Sequence, residues 1–215
     1  MTLSASRTKV RDAKRRCHVT TANPEAGAAG LTPRAAQSTL LAAQGDAMAR
    51  WRAWVTDHAI GSSLLAGAVA TQLATVFGIW FRGFGLPTLS WPAVNGAIAV
   101  PTASTGAQFA VGEFTHTIDG IVFALLFALL VHPRIPLRNN TLGNLGKGII
   151  YGTALAILSA AWWVPYVAFP HSGAGVFSSG FGWKLVFGIF LWHWIYGYFL
   201  GTIYNPLPAA KSARG

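Results

Sequence analysis

The sequence predicts an all-α membrane protein, a bundle of four helices each long enough to cross a bilayer, and three observations carry that expectation. Four apolar stretches, residues 59–81, 108–131, 148–169 and 183–204, approach or exceed the ~20 residues that a helix needs to cross ~30 Å of hydrocarbon. Charged residues make up 10% of the chain against about 25% in soluble domains, with a mean hydropathy of +0.44. The charges are also unevenly placed: nine of the sixteen Lys and Arg residues precede residue 58. The net charge of +10 therefore belongs mainly to an amino-terminal segment and does not mark a nucleic-acid-binding face. Unpaired backbone groups are too costly in lipid for an open sheet, and the stretches lack the strict alternation of a porin strand.

The amino-terminal segment comes first. Residues 1–47 are rich in Ala, Ser, Thr, Arg and Lys and poor in large apolar side chains, which predicts a disordered basic tail. Arg7, Lys9, Arg11, Lys14, Arg15 and Arg16 form a run suited to lie beside anionic lipid. The Arg15-Arg16 pair has no apolar region promptly after it, which argues against an export signal. Residues 48–58 change character. Arg50, Trp51, Arg52, Trp54 and Val55 mix basic and apolar groups as an interfacial helix would, and Met48 offers an alternative chain start. The single cysteine, Cys17, rules out an internal disulfide framework.

The four-helix domain is expected over residues 59–205, with a short cytoplasmic tail at 206–215. Its first connection, residues 82–107, is Gly- and Pro-broken and too short to cross, so a folded or partly re-entrant loop is expected. Arg50, Arg52, Arg134, Arg138, Lys147, Lys211 and Arg214 fall on the side that holds both termini, with Arg82 and Lys184 opposite. By the bias of basic residues toward the cytoplasm, both termini are cytoplasmic and the location is the cell membrane. Trp80, Trp162, Trp163 and Trp183 then read as interface anchors near the outer face.

Ionisable residues inside the spans are where function is sought first, because each is costly in hydrocarbon. The second span holds Glu113, His116 and Asp119, and the fourth holds His193. Glu113 and His116 have the Glu-x-x-His spacing of di-iron bundles, but from residue 59 onward Glu113 and Asp119 are the only acids, too few for such a site. A single metal ion held by Glu113, His116, Asp119 and His193 keeps suitable ligand types. Haem between His116 and His193 is a second reading. A third pairs His116 with Asp119 and sets His193 bonding across helices, as polar glue, and a proton or ion pathway is a fourth. His132, at a helix end, suits a helix-terminus charge.

Spans two and four share His-x-Ile-x-Gly, at His116-Gly120 and His193-Gly197, which suggests a duplicated helical hairpin with the two histidines equivalent. Ser63 and Gly67, Gly148 and Gly152, and Gly197 and Gly201 are small residues four apart, suited to close packing in one bundle or to a homo-oligomer.

Several further features bear on kinship: His116 with the apolar run 120–131, Lys147-Gly148 to Tyr151-Gly152, Pro170, Gly173-Ala174-Gly175-Val176-Phe177, and His193-Trp194-Ile195-Tyr196-Gly197 with the following residues to Tyr204. In their order the second half of the chain resembles a family of small, functionally uncharacterised four-helix bacterial integral membrane proteins. The resemblance implies the bundle and carries no activity. No nucleotide loop, nucleophile elbow, zinc-protease motif or haem-attachment motif occurs. The expected function is a non-enzymatic integral membrane role. Its alternative is a redox or transport component using His116, Asp119 and His193.

Overall fold

A computed structural model describes residues 33–208. The basic run at 7–16, Cys17 and residues 209–215 lie outside the described residues. The fold is all-α, and no strand occurs among the described residues. Six α-helices follow in order: α1 Pro33–Asp57, α2 Ala59–Trp80, α3 Trp91–Ala99, α4 Thr105–Leu126, α5 Thr141–Leu158 and α6 Trp183–Ile203. Helix α4 runs on through a π-helical turn to His132–Arg134, and α5 continues as a π-helix over Ser159–Ala168. With these extensions four helices are long and apolar enough to cross a membrane: Ala59–Phe84, Thr105–Arg134, Thr141–Ala168 and Trp183–Ile203.

The amino-terminal boundary differs from expectation. Residues 33–47 are helical, as the first part of α1, because Ala, Leu and Gln favour helix and Pro33 stands at its first position, where no N–H is needed. The chain divides into a unit ending at Gly45 and a second beginning at Asp46. In the first unit Leu40 and Leu41 are exposed. The second unit contains the bundle.

Within the bundle α2 packs on α4 and α6, and α5 packs on α6, so that α2 and α6 are central while α4 and α5 scarcely touch along their lengths. Small residues set these contacts. A Cβ on Gly67 would meet Ala124, and one on Gly148 would run into the carbonyl of Gly197. The three small-residue faces expected from sequence, including Gly152 against the His193 carbonyl, thus make close contacts within the chain.

These contacts also bear on the duplication. In the first hairpin Gly67 lies against Ala124 and Thr71 against Gly120. In the second, Asn144 lies against Gly201 and Gly148 against Gly197. Each residue of the second set stands 77 positions after its counterpart, as His193 does after His116. The two hairpins therefore pack in the same register, which the five-residue sequence match alone suggested only faintly.

The first connection is a folded loop, as expected, and its content is specific. Helix α3 lies so close to the start of α4 that a Cβ on Gly96 would collide with Gln108 and one on Gly112 with Pro92. This backbone approach needs glycine on both sides, and it fixes Trp91 and Asn95 beside α4.

Candidate functional site

Because α4 and α5 diverge, a cavity of about 250 Å³ remains between them, partly open, with α6 behind it and α3 beside it. It is lined by Trp91 and Asn95 of α3, His116, Asp119 and Phe123 of α4, Leu155 and Leu158 of α5, Ser159, Trp162 and Trp163 of the π-helix, and Trp192, His193 and Tyr196 of α6. Concave, mostly apolar hollows with a few polar groups are the usual form of small-molecule sites.

His116 and His193 both face this cavity, as the expected equivalence requires, and their rings flank that of Trp192 at centroid distances of 5.4 and 5.0 Å. The rest of the expected hydrogen bonding is different. Asp119 accepts a bond from the Asn95 amide at 3.0 Å, and no bond joins it to His116. His193 Nδ1 lies 2.7 Å from the Ile189 carbonyl of its own helix instead of bonding across helices. A carbonyl can only accept, so Nδ1 carries the proton and Nε2 is the nitrogen left for another partner. Glu113 is not in the cavity: it accepts from the amide of Gln72, which also donates to Thr117. Polar residues of α2 thus take up the acid that sequence spacing assigned to a metal.

Among the described residues no three His, Cys, Asp or Glu side chains come together closely enough to hold a metal ion. The expected set of Glu113, His116, Asp119 and His193 is therefore not assembled as a metal site. The physical reason is the angular spread of Glu113 around α4, which turns it toward α2 while His116 and Asp119 reach the cavity.

Three cavity-lining residues have a buried ring nitrogen without a partner in the protein: Trp91 Nε1, His116 Nε2 and Trp192 Nε1. These residues are 7, 8 and 5% exposed. Trp192 Nε1 lies beside Gly78, whose missing side chain makes room for the indole. An unmet buried donor costs about 1–3 kcal/mol, so the cavity region is not arranged for greatest stability.

The part of the wall formed by Ser159, Trp162 and Trp163 depends on an irregular helix. Pro165 has no N–H, so in the π-helix the Ala160 carbonyl five residues earlier lacks its donor. The Ser178 hydroxyl supplies one at 2.7 Å. Ser178 is fully buried and, like Phe177, has a φ of 58°, a left-handed conformation that non-glycine residues rarely adopt. Trp162 and Trp163, expected as interface anchors, are part of the cavity wall, although Trp162 is also half exposed. Trp80 and Trp183 are exposed, as anchors would be.

A second polar cluster, which sequence spacing did not reveal, closes the opposite end. Buried Asn144 accepts from His132 Nε2 at 3.0 Å through its Oδ1, and its amide nitrogen donates to Asn205 Oδ1 at 2.7 Å and to the Pro206 carbonyl at 3.1 Å. As an amide oxygen can only accept, His132 Nε2 is the donor. His132 is therefore a buried structural residue and not an exposed helix-terminus charge. Arg52 donates to the carbonyls of Asn139, Asn205 and Pro206, Trp51 to Ile203, and the Leu207 amide to Thr56 Oγ1. Lys147, 2% exposed, donates to Asn139 Oδ1 at 2.6 Å. Burial raises the pKa of the neighbouring Tyr204 phenol above its ordinary value. Residues 206 and 207, expected as the start of a short cytoplasmic tail, are thus docked, together with Asn205, against the residues of α1 after Gly45.

No family model, curated protein or solved structure matches this chain.

Proposed function

We propose that this is a non-enzymatic integral membrane protein whose working site is the His116–His193 cavity, where a small molecule binds. The observation that carries the reading is the cavity itself. It lies among the spans, takes walls from four helices, and gathers two histidines and an aspartate among aromatic side chains. Ionisable side chains at membrane depth are expensive, and they concentrate where a ligand or ion passes. The reading makes the protein a binding or transport component, in line with the resemblance of its second half to small four-helix bacterial membrane proteins.

The proposed setting is the cell membrane, with both termini cytoplasmic. Arg52 and Lys147 meet at Asn139, which gathers basic residues of α1, the second connection and α5 at one end of the bundle. The cavity then lies toward the outer end, beside α3. The exposed Thr88 and Ser172 are suitable positions for labelling, whereas buried Ser178 is not. Thr88→Cys and Ser172→Cys should react with an impermeant thiol reagent added to intact cells, and failure of both would reverse the orientation.

Binding is tested by what accompanies the purified full-length chain. Solvent extraction of unfolded protein followed by mass spectrometry should release a small molecule stoichiometric with the chain. It should be missing from Ser159→Phe and Leu158→Trp, in which a large ring fills the cavity. Identical extracts from all three proteins would overturn the site.

A further inference from the structure

We infer that the ligand of this cavity is a small organic cation, a substituted ammonium bearing an apolar group. The inference rests on the reading of the cavity as a binding site and adds the chemical class. Charge comes first. Asp119 is the only acid in the wall, and the wall contains no Lys or Arg to neutralise it. Its hydrogen-bond partner is the Asn95 amide, which orients the carboxylate without cancelling its charge. An anionic ligand would meet this carboxylate with no cation to receive it.

The rest of the wall narrows the choice among cations. Trp91, Trp162, Trp163, Trp192, Phe123 and Tyr196 supply six aromatic rings. Aromatic faces attract organic ammonium groups, most strongly when the cation is desolvated, and tryptophan is the best of them. A bare inorganic dication would need about six oxygen ligands, and the wall offers one carboxylate, the Asn95 amide and the Ser159 hydroxyl besides the committed Tyr196. Size agrees as well. A cavity of about 150 Å³ accepts a benzene ring, so the 250 Å³ here admits one ring with a small ammonium head.

The duplication adds a separate point. Asp119 has Tyr196 as its counterpart 77 positions later. Both line the cavity, but Tyr196 is committed, its hydroxyl donating to the Gly120 carbonyl at 2.7 Å. One of two equivalent positions thus packs the bundle, and the other keeps a charge at the cavity.

Calorimetry on the detergent-purified full-length protein tests the inference with two probes of nearly the same shape, benzyltrimethylammonium and its neutral isostere neopentylbenzene. The cation should bind and the isostere should bind at least about tenfold more weakly. Asp119→Asn, which keeps the size and the bond to Asn95, should weaken the cation about ten- to a hundredfold. Trp162→Leu, at the exposed part of the wall, should weaken it about three- to tenfold. Equal binding of both probes, unchanged by Asp119→Asn, would overturn the cation and leave the site standing. So would failure of both probes while the native extract still contains a molecule absent from Ser159→Phe. A strong absorption band near 400 nm in the purified protein, lost in His193→Ala, would replace the cation by haem. Failure of both probes together with identical extracts would remove the site itself.

Discussion

At the end of the bundle where α1 meets residues 205–207, Asn144 is buried and bonded on both sides, to His132 and to Asn205. At the other end His116 Nε2 and Trp91 Nε1 are equally buried and have no partner in the chain. Both regions hold polar side chains at a cost in desolvation, and they recover it differently. The closed end recovers it within the protein, leaving one nitrogen, Asn205 Nδ2, unpartnered. The cavity end does not, and an aromatic-walled hollow accompanies the deficit. Buried polarity that is satisfied serves the fold, whereas buried polarity left open around a cavity marks the place where something else is expected to bind.

The comparison can be broken most sharply at Asn144. Asn144→Ala removes the bonds to His132, Asn205 and Pro206 and leaves their buried partners unpaired, so unfolding in detergent should show a loss of about 2–4 kcal/mol. A loss below about 1 kcal/mol would mean that the closed end is not held by its polar bonds. Ser178→Ala comes next. It strips the donor from the Ala160 carbonyl in a fully buried setting and should cost about 1–3 kcal/mol by the same measurement.

Arg52→Met keeps much of the side chain's apolar contact while removing three bonds to carbonyls, and its partial exposure lets water replace some of them. A loss of about 1–2 kcal/mol is expected. The smallest effect should come from His116→Phe. It exchanges an unpartnered ring for an apolar one of similar shape beside Trp192, so stability should change by less than about 1 kcal/mol in either direction. If His116→Phe were as damaging as Asn144→Ala, the contrast between the two ends would fail.

The four spans were legible because hydropathy and length decide them, whatever the neighbours are. His116 and His193 were legible as partners for a different reason: ionisable residues are so rare within the spans that few pairings exist. What they bond to was not legible. Asp119 turns to Asn95 because α3 is drawn onto α4 by Gly96 and Gly112, a backbone approach that no pattern within α4 announces. Asn144 and Asn205 are not legible as partners because a neutral amide carries no charge signal, and the two stand 61 positions apart. Trp162 and Trp163 looked like anchors from their place near a span end. The π-helix around Pro165 puts them in the cavity wall instead. The polar composition of residues 33–47 bears on core formation and not on helix propensity, so it carries no signal against an exposed Ala-rich helix.

The hydroxyl that completes the cavity wall comes from 18 residues downstream of the carbonyl it serves. During synthesis the chain grows by ~5–20 residues per second, so the Ala160 carbonyl is made about 1–4 s before its missing donor exists. Until Ser178 arrives, the gap opposite Pro165 must be filled by water, lipid headgroups or the insertion machinery. The third span is thus finished late, by a segment from the following loop, and the cavity cannot take its final form before most of the connection to α6 has left the ribosome.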